Sequence, residues 1–487
     1  MLQNRILPIL HVLGLVIAVF GLSMLLPLTV SLAIGDDAQL AFDQVFLLTF
    51  GSGLMLWLIG RRHRRELKAR DGFLLVVTIW LLLPLFGALP LMFHISDLSF
   101  TDAYFEAASG LTATGSTLLS GLELLPPSIN LWRTQMHYLG GMGIIVLVVA
   151  VLPMLGVGGR QMFKAEIPTP MKDTKLTPRM TETAKGLWVA YLIFTVLCVS
   201  AFWWAGMSWL DALIHAFSVM SLGGFSSYDA SLGYFNSITI EAIAAGFALL
   251  ASVNFATHFM AMHGISLRPY LHDPEIRWFL FVVLYSCLAL AALLWAREVY
   301  PDFLTALRYA SFNTISVATT LGFATTDYSA WPFVAGMWML FLSSFCTSAG
   351  STGGGIKMLR AMLLYKQVYR ELVKLLHPNA ELPTKLGSSV VPNKIIYAVL
   401  AFLFIYVASI VVLSFVLIAS GLDVVTAFTA VVATINNTGP GLGAVGPAGN
   451  YSVLTDFQTW VCTFSMLLGR LELFTLLVVL TPAFWRK

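Results

Sequence analysis

Apolar runs of about 20 residues, the helix length that crosses a hydrocarbon core roughly 30 Å thick, recur from one end of this 487-residue sequence to the other. They fall near residues 6–33, 39–60, 73–94, 130–155, 186–206, 237–265, 276–297, 331–364, 394–420 and 455–483. With 58% hydrophobic and only 11% charged residues, against about 25% charged in a soluble domain, no stretch is left for a separate soluble unit. The expected fold class is an all-α polytopic membrane protein of about ten transmembrane spans. Cys198, Cys287, Cys346 and Cys462 stand singly inside apolar runs, without CxxC or metal-ligand spacing, and read as small apolar fillers. The first run follows Arg5, is longer than a signal-peptide core and lacks a convincing cleavage site, so a retained span is expected.

Positive charge marks the loops that stay inside. Arg61, Arg62, Arg64, Arg65, Lys68 and Arg70 follow the second run; Arg160, Lys164, Lys172, Lys175, Arg179 and Lys185 follow the fourth; seven more basic residues lie from Lys357 to Lys394. These loops and both termini are expected in the cytoplasm, where the loops also meet anionic lipid of the bilayer. The opposite loops carry Asp36, Asp37, Asp43, Asp97, Asp102, Glu106, Glu123, Asp211, Asp229, Asp302, Asp327 and Asp423. An acidic outer mouth would concentrate cations.

After two leading spans the chain repeats one pattern: a crossing, a segment of 12 to 20 residues, a glycine-containing turn, and a second crossing. This is the pattern of a re-entrant pore loop. The turns run from Leu111 to Thr117, Ser221 to Ser226, Thr319 to Thr325 and Asn436 to Gly441, and their glycines at 115, 223, 322 and 439 lie 108, 99 and 117 residues apart. Four near-equal periods imply fourfold pseudosymmetry within one chain. The expected units are residues 1–72 (leading spans and a basic loop), 73–165, 166–270, 271–392 and 393–487.

Non-helical backbone at membrane depth is tolerated only where it is buried in protein or lines a cavity, so the four turns should meet around one axis. Carbonyls aimed inward can replace the water of an ion, and glycine permits the dihedrals this requires. The candidate filter is Thr112, Ala113, Thr114 and Gly115; Ser221, Leu222 and Gly223; Thr320, Leu321 and Gly322; and Asn437, Thr438 and Gly439. Three of the preceding segments start near Asp102, Asp211 and Asp423, where carboxylates suit a helix N-terminus, and would point their negative C-terminal ends at a central cation. The third departs, with Asp302 lying 20 residues before Gly322 and Arg308 between them.

Within the eighth run, Thr347, Ser348, Gly350, Ser351, Thr352, Gly353, Gly354, Gly355 and Lys357 belong to a stretch that cannot hold a stable helix. It is either a helix break at the cytoplasmic boundary or a mobile loop beneath the filter; it does not fit GxxxxGK[ST]. Arg470 lies inside the last run, where an ionised side chain costs at least about 2.5 to 3.5 kcal/mol unless it meets a partner or water. Glu472, two residues on, points to another helix face and is a poor local partner. Arg470 therefore either faces an ion path or bridges to backbone carbonyls of another repeat. His137, Asn254 and His258 either line that path or tie helices together, and the stretch from His137 to Gly143 reads as a close-packing face.

The four turns, the Leu139–Gly143 stretch, the Thr347–Lys357 glycine run and Gly469-Arg470-Leu471-Glu472 together resemble the Trk/Ktr/HKT potassium transporter superfamily, in particular its TrkH/TrkG/TrkI-type pore subunits, over essentially the whole chain. The resemblance implies potassium uptake across the bacterial inner membrane through a filter in which only the glycine of TVGYG is constant, so that K+ binds backbone carbonyls mainly at one level. Family members with serine at the first-repeat glycine tend toward sodium, and this chain has Gly115. It also implies that the Thr347–Lys357 loop is the gate and that Arg470 is an electrostatic barrier. A homodimer seated on cytosolic TrkA-type nucleotide-binding subunits would follow, with NAD or ATP on the partner, no cofactor in this chain and no nucleic acid; coupling to H+ or Na+ is left open. The alternative is a secondary transporter of a small organic solute, but such folds usually carry two inverted repeats rather than four same-direction ones. HExxH and nucleophile-elbow motifs are absent, which argues against an enzyme.

Overall fold

The computed structural model describes residues 3–62, 67–146, 180–387 and 389–486. The basic residues Arg64, Arg65, Arg160, Lys164, Lys172, Lys175 and Arg179, the end of the fourth run and the expected 165/166 unit boundary lie outside these segments. The chain is an all-α polytopic membrane protein in which two leading spans precede four helix, pore loop, helix repeats.

The leading spans are α1 (Gln3–Ser23) with α2 (Leu25–Ile34), and α3 (Gln39–Gly60). Repeat 1 holds α4 (Ala69–His94), α5 (Phe100–Thr112) and α6 (Pro127–Val146). Repeat 2 holds α7 (Met180–Trp204), α8 (Trp209–Ser221), α9 (Ile238–Ala251) and α10 (Phe255–Gly264), and the short α11 (Arg268–His272) leads out of it. Repeat 3 holds α12 (Pro274–Ala296), α13 (Phe303–Ala318), α14 (Phe333–Ser343) and α15 (Met358–Leu376). A two-stranded antiparallel hairpin, β1 (Lys385–Leu386) and β2 (Ser389–Val390), with Lys385 opposite Val390, leads to repeat 4. That repeat holds α16 (Asn393–Ala419), α17 (Val424–Ile435), α18 (Asp456–Arg470), α19 (Phe474–Leu480) and α20 (Pro482–Trp485).

Two runs expected as continuous crossings are broken, and the eighth is interrupted at the glycine run where no stable helix is expected. Residues 237–265 bend by 93° between α9 and α10, residues 455–483 bend by 114° between α18 and α19, and residues 331–364 are interrupted from 344 to 357 between α14 and α15. Among the described residues, six helices are long and apolar enough to cross a membrane, or up to eight with each bent pair taken as one. Two of the breaks satisfy each other's freed backbone groups. The Ser348 N–H donates to the Ser252 carbonyl at 2.9 Å, and the Phe255 N–H donates to the Gly350 carbonyl at 3.1 Å. Hydropathy cannot register such an exchange, since the flanking residues stay apolar.

The four short helices α5, α8, α13 and α17 are wrapped by the longer ones. Residues 103–112 of α5 are buried without interruption, as a pore helix inside a ring of spans must be. Each starts on a side-chain cap: Ser99, Ser208, Asp302 and Asp423 accept from the backbone N–H of Asp102, Asp211, Thr305 and Thr426, respectively. In the first two, the expected aspartates sit at the third helical position and pair with the capping serine. The third repeat, read as a departure, is capped by Asp302 and is simply longer, at 16 residues against 12 or 13.

Candidate functional site

Each pore helix ends in the same hydrogen-bonded turn. The N–H groups of Ala113, Leu222, Thr320 and Asn437 bond the carbonyls three residues back, at Gly110, Val219, Val317 and Thr434. The next N–H groups, of Thr114, Gly223, Leu321 and Thr438, reach five back to Ser109, Ser218, Ser316 and Ala433. This six-to-one closure is the way a helix C-terminus satisfies its last carbonyls when a left-handed residue follows. Ala113, Leu222, Thr320 and Asn437 are those left-handed residues, with φ of 51°, 55°, 62° and 53°.

The pattern fixes the register, and it corrects repeat 2 by one residue. The glycine equivalent to Gly115, Gly322 and Gly439 is Gly224, not Gly223; their φ values are 84°, 83°, 94° and 86° for Gly224. Ser221, Leu222 and Gly223 thus match Thr112, Ala113 and Thr114. Thr319 and Asn436, outside the expected filter set, are the matching helix ends of repeats 3 and 4. Two adjacent glycines offered two registers, and the aromatic that follows Gly224 as Phe323 follows Gly322 was the signal that distinguishes them.

The four turns close a ring. A Cβ on Gly115 would lie 2.1 Å from the Gly223 carbonyl oxygen, one on Gly224 2.5 Å from that of Leu321, one on Gly322 2.3 Å from that of Thr438, and one on Gly439 2.8 Å from that of Thr114. Each glycine therefore faces the carbonyl that precedes the next repeat's glycine, in the order 1, 2, 3, 4 and back to 1. Side chains are excluded by contact with backbone as well as by dihedral angle. Asn437 Nδ2 donates to Thr114 Oγ1 at 2.9 Å and Ser116 Oγ donates to the Gly439 carbonyl at 3.1 Å, both closing the seam between repeats 4 and 1, while Tyr451 Oη of repeat 4 donates to the same Gly439 carbonyl at 2.9 Å.

On one side of the ring a cavity of about 80 Å³ is lined by Gly115, Gly224, Gly322 and Gly439 together with Asp229. Most of the acidic residues expected at the outer mouth serve the fold instead. Asp102, Asp211, Asp302 and Asp423 sit at helix starts, and Asp229 itself accepts from the N–H groups of Gly121 and Leu122 at 2.7 and 3.1 Å. Glu106 is fully buried and paired with Arg133 at 2.7 Å. The Arg133 guanidinium also lies 4.3 Å from the centre of the Phe225 ring, whose other neighbour is His137, stacked at 4.1 Å. The residue after the repeat 2 filter glycine is thus held between two side chains one turn apart on α6. Sequence alone did not single out Arg133 or Glu106 as partners, because 27 residues separate them.

On the opposite side of the ring the 344–357 segment lies against the ends of three of the short helices. Thr352 Oγ1 donates to the Met220 carbonyl at 3.1 Å, and the Gly354 N–H donates to Thr320 Oγ1 at 3.1 Å. A Cβ on Gly354 would lie 1.9 Å from the Asn436 carbonyl oxygen. Thr347 Oγ1 donates to the Gly354 carbonyl at 2.8 Å, Ser351 Oγ to the Ser348 carbonyl at 2.6 Å, and Lys357 Nζ to the Gly353 carbonyl. Gly355, at φ 80°, returns the chain so that the Met358 N–H reaches the Thr347 carbonyl at 2.8 Å. Arg470, 2% exposed at the end of α18, donates from Nη1 to the Thr352 carbonyl at 2.9 Å. Of the two alternatives for this arginine, the structure shows the bridge to a carbonyl of another repeat. Glu472 pairs at 2.9 Å with Arg360, a partner 112 residues away.

His137 packs behind the filter, 3.4 Å from Ser218 Oγ. Asn254 caps its own helix, α10, through the Ala256 N–H at 2.8 Å, and His258 ties helices together, held between Tyr270 Oη and the Leu250 carbonyl at 2.8 and 2.9 Å. Close packing of the 137–143 stretch is visible at Gly140, where a Cβ would lie 1.8 Å from the Leu111 carbonyl oxygen.

The whole chain is similar to known proteins. The Trk system potassium uptake protein TrkH of Salmonella typhimurium is 46% identical over 478 residues, 98% of this chain and 99% of that protein. The Trk system potassium uptake protein TrkG of Escherichia coli is 36% identical over 478 residues, 98% of each chain. The crystal structure of the potassium transporter TrkH from Vibrio parahaemolyticus superimposes with a TM-score of 0.91 at 43% identity, covering 100% of both chains. A family model described as TrkH, cation transport protein, matches residues 39–487, and the chain belongs to that family.

Proposed function

We propose that this chain takes up potassium across the bacterial inner membrane as the pore subunit of a Trk-type system. The observation that carries this reading is the closed ring in which Gly115, Gly224, Gly322 and Gly439 alternate with the carbonyls of Thr114, Gly223, Leu321 and Thr438. Backbone oxygens in such a ring replace the hydration shell of an alkali cation, and no side chain can enter to compete. Four pore helices end at the ring, and the negative ends of their dipoles favour a cation there. Above and below the glycine level the four turns differ, so selection rests mainly on this one ring.

The 344–357 segment is the gate in this reading, because its bonds to Met220 and Thr320 close the path directly under the filter. Arg470 is the barrier, since a buried guanidinium on the path raises the energy of a passing cation. The functional units are residues 1–72, 73–165, 166–270, 271–392 and 393–487. In this reading the chain works as a homodimer on cytosolic TrkA-type subunits that carry NAD or ATP; the relatives' names, Trk system proteins, support a system of more than one component.

The test is rubidium-86 uptake into proteoliposomes with potassium and sodium in competition, for the wild-type chain and for Gly115→Ser. The wild-type chain should favour potassium, and the variant should lose about tenfold or more of that preference. Uptake absent with and without the regulatory subunit, or selectivity indifferent to the substitution, would sink the reading.

A further inference from the structure

The glycine-rich segment leaves its scaffold at Ala349 and rejoins it at Leu359, the second residue of α15. A single atom holds both places. Glu275 Oε1 accepts from the Ala349 N–H at 2.8 Å and from the Leu359 N–H at 3.1 Å. Glu275 is the second residue of α12, behind the Asp273 cap, whose carboxylate accepts the Glu275 N–H at 2.9 Å. Its side chain is 0% exposed, and its other oxygen, Oε2, has no hydrogen-bond partner among the described residues.

A buried polar group is costly unless it is hydrogen-bonded. The packing at this place needs no polar group; the two loop amides need an acceptor. The middle of the segment is held under the filter by separate bonds, from Thr352 Oγ1 to Met220, from the Gly354 N–H to Thr320 and from Arg470 to the Thr352 carbonyl. The two feet of the segment, away from the filter, are instead joined through one shared oxygen. Opening by movement of the 350–358 stretch must separate Ala349 from Leu359 or carry both off α12, and Glu275 opposes either motion.

We propose that Glu275 is a positioning residue that latches the gate segment beneath the filter through these two amides. The proposal rests on the pore-and-gate reading above. Its chemistry asks for an acceptor oxygen at one point; a glutamine supplies that oxygen and places its amide nitrogen where Oε2 accepts nothing. An aspartate, one methylene shorter, cannot reach both amides.

The experiment is basal rubidium-86 flux through purified full-length chain in proteoliposomes without the regulatory subunit, for wild type, E275A, E275D and E275Q, with monodispersity checked by gel filtration. E275A is expected to raise basal flux about tenfold, E275D by less, and E275Q to stay within about twofold of wild type, because only the first two lose the clamp. Monodisperse E275A or E275D with wild-type flux would overturn the latch, as would E275Q as leaky as E275A. Failure of both E275A and E275D to give monodisperse protein would equally overturn it, since the residue would then belong to the fold and not to the gate. Gly115→Ser in the same vesicles separates the two levels. Selectivity indifferent to that substitution removes the pore reading itself, whereas altered selectivity beside unchanged E275A flux removes only the latch.

Discussion

Arg470 Nη1 donates to the Thr352 carbonyl at 2.9 Å, so the one arginine of α18 and the tip of the glycine-rich segment are a single structural unit beneath the filter. Charge and backbone plug are joined, and a movement of either displaces the other. Arg470→Ala removes both the charge and the bond, and should raise basal rubidium flux by about tenfold at moderate voltage. Flux unchanged across a voltage range would count against it.

The one-residue register of repeat 2 is testable by rescue. A Cβ on Gly223 would strike the His137 ring, with the nearest atom at 2.2 Å, whereas one on Gly224 would strike the backbone of Leu321 and Gly322. Gly223→Ala should impair uptake and be largely restored by His137→Ala. Gly224→Ala should impair it by about tenfold or more, with no recovery from His137→Ala, because backbone in the ring cannot give way. Uptake assays on the four variants decide between the two glycines.

Glu106 and Arg133 are both fully buried, and removing one partner strands the other. Arg133→Met should lower stability by about 3 to 5 kcal/mol, and Glu106→Gln added to it should recover a substantial part. Thermal unfolding in detergent measures both. Equal melting temperatures for the single and double variants would mean that the pair is not the source of the loss.

Arg360 and Glu472 bridge the start of α15 to the break after Arg470 at 2.9 Å, and the Arg360 guanidinium lies 4.1 Å from the centre of the Phe402 ring. A double-mutant cycle with Arg360→Met and Glu472→Gln should give a coupling energy of about 1 kcal/mol, since Glu472 is 29% exposed and partly screened. Strictly additive effects would dissolve the link between these segments.

Asp423 caps the pore helix of repeat 4, and its carboxyl is held below the ordinary aspartate value by hydrogen bonds from the Thr426 N–H and hydroxyl. A lowered folded-state value contributes stability that is present above the unfolded value and lost as pH falls through the folded one. The stability difference between wild type and Asp423→Asn should therefore be constant from pH 7 to 5 and shrink only below 3.8. Melting curves across that range check it; a difference that shrinks near neutrality would assign the effect to another group.

The local chemistry of the chain determined much of this protein. Apolar runs of membrane length, a capping residue such as Asp423, and a glycine after each short helix are legible because hydropathy, caps and left-handed turns depend on a few consecutive residues. The glycine run at 350–355 and the misplaced charge of Arg470 were visible for the same reason, as violations of what a span tolerates. Tertiary structure decided what distant segments make of one another. Gly223 and Gly224 offer two registers, and it is on Gly224 that the Leu321 carbonyl closes. The acidic residues of the outer loops look like a cation funnel until Glu106 meets Arg133 and the aspartates meet helix starts. Glu275 reads as an ordinary first-turn glutamate of a long span. It becomes more than that only when Ala349 and Leu359, 74 and 84 residues further on, bring their amides to one oxygen, because a backbone N–H carries no mark in the sequence of where its acceptor will come from.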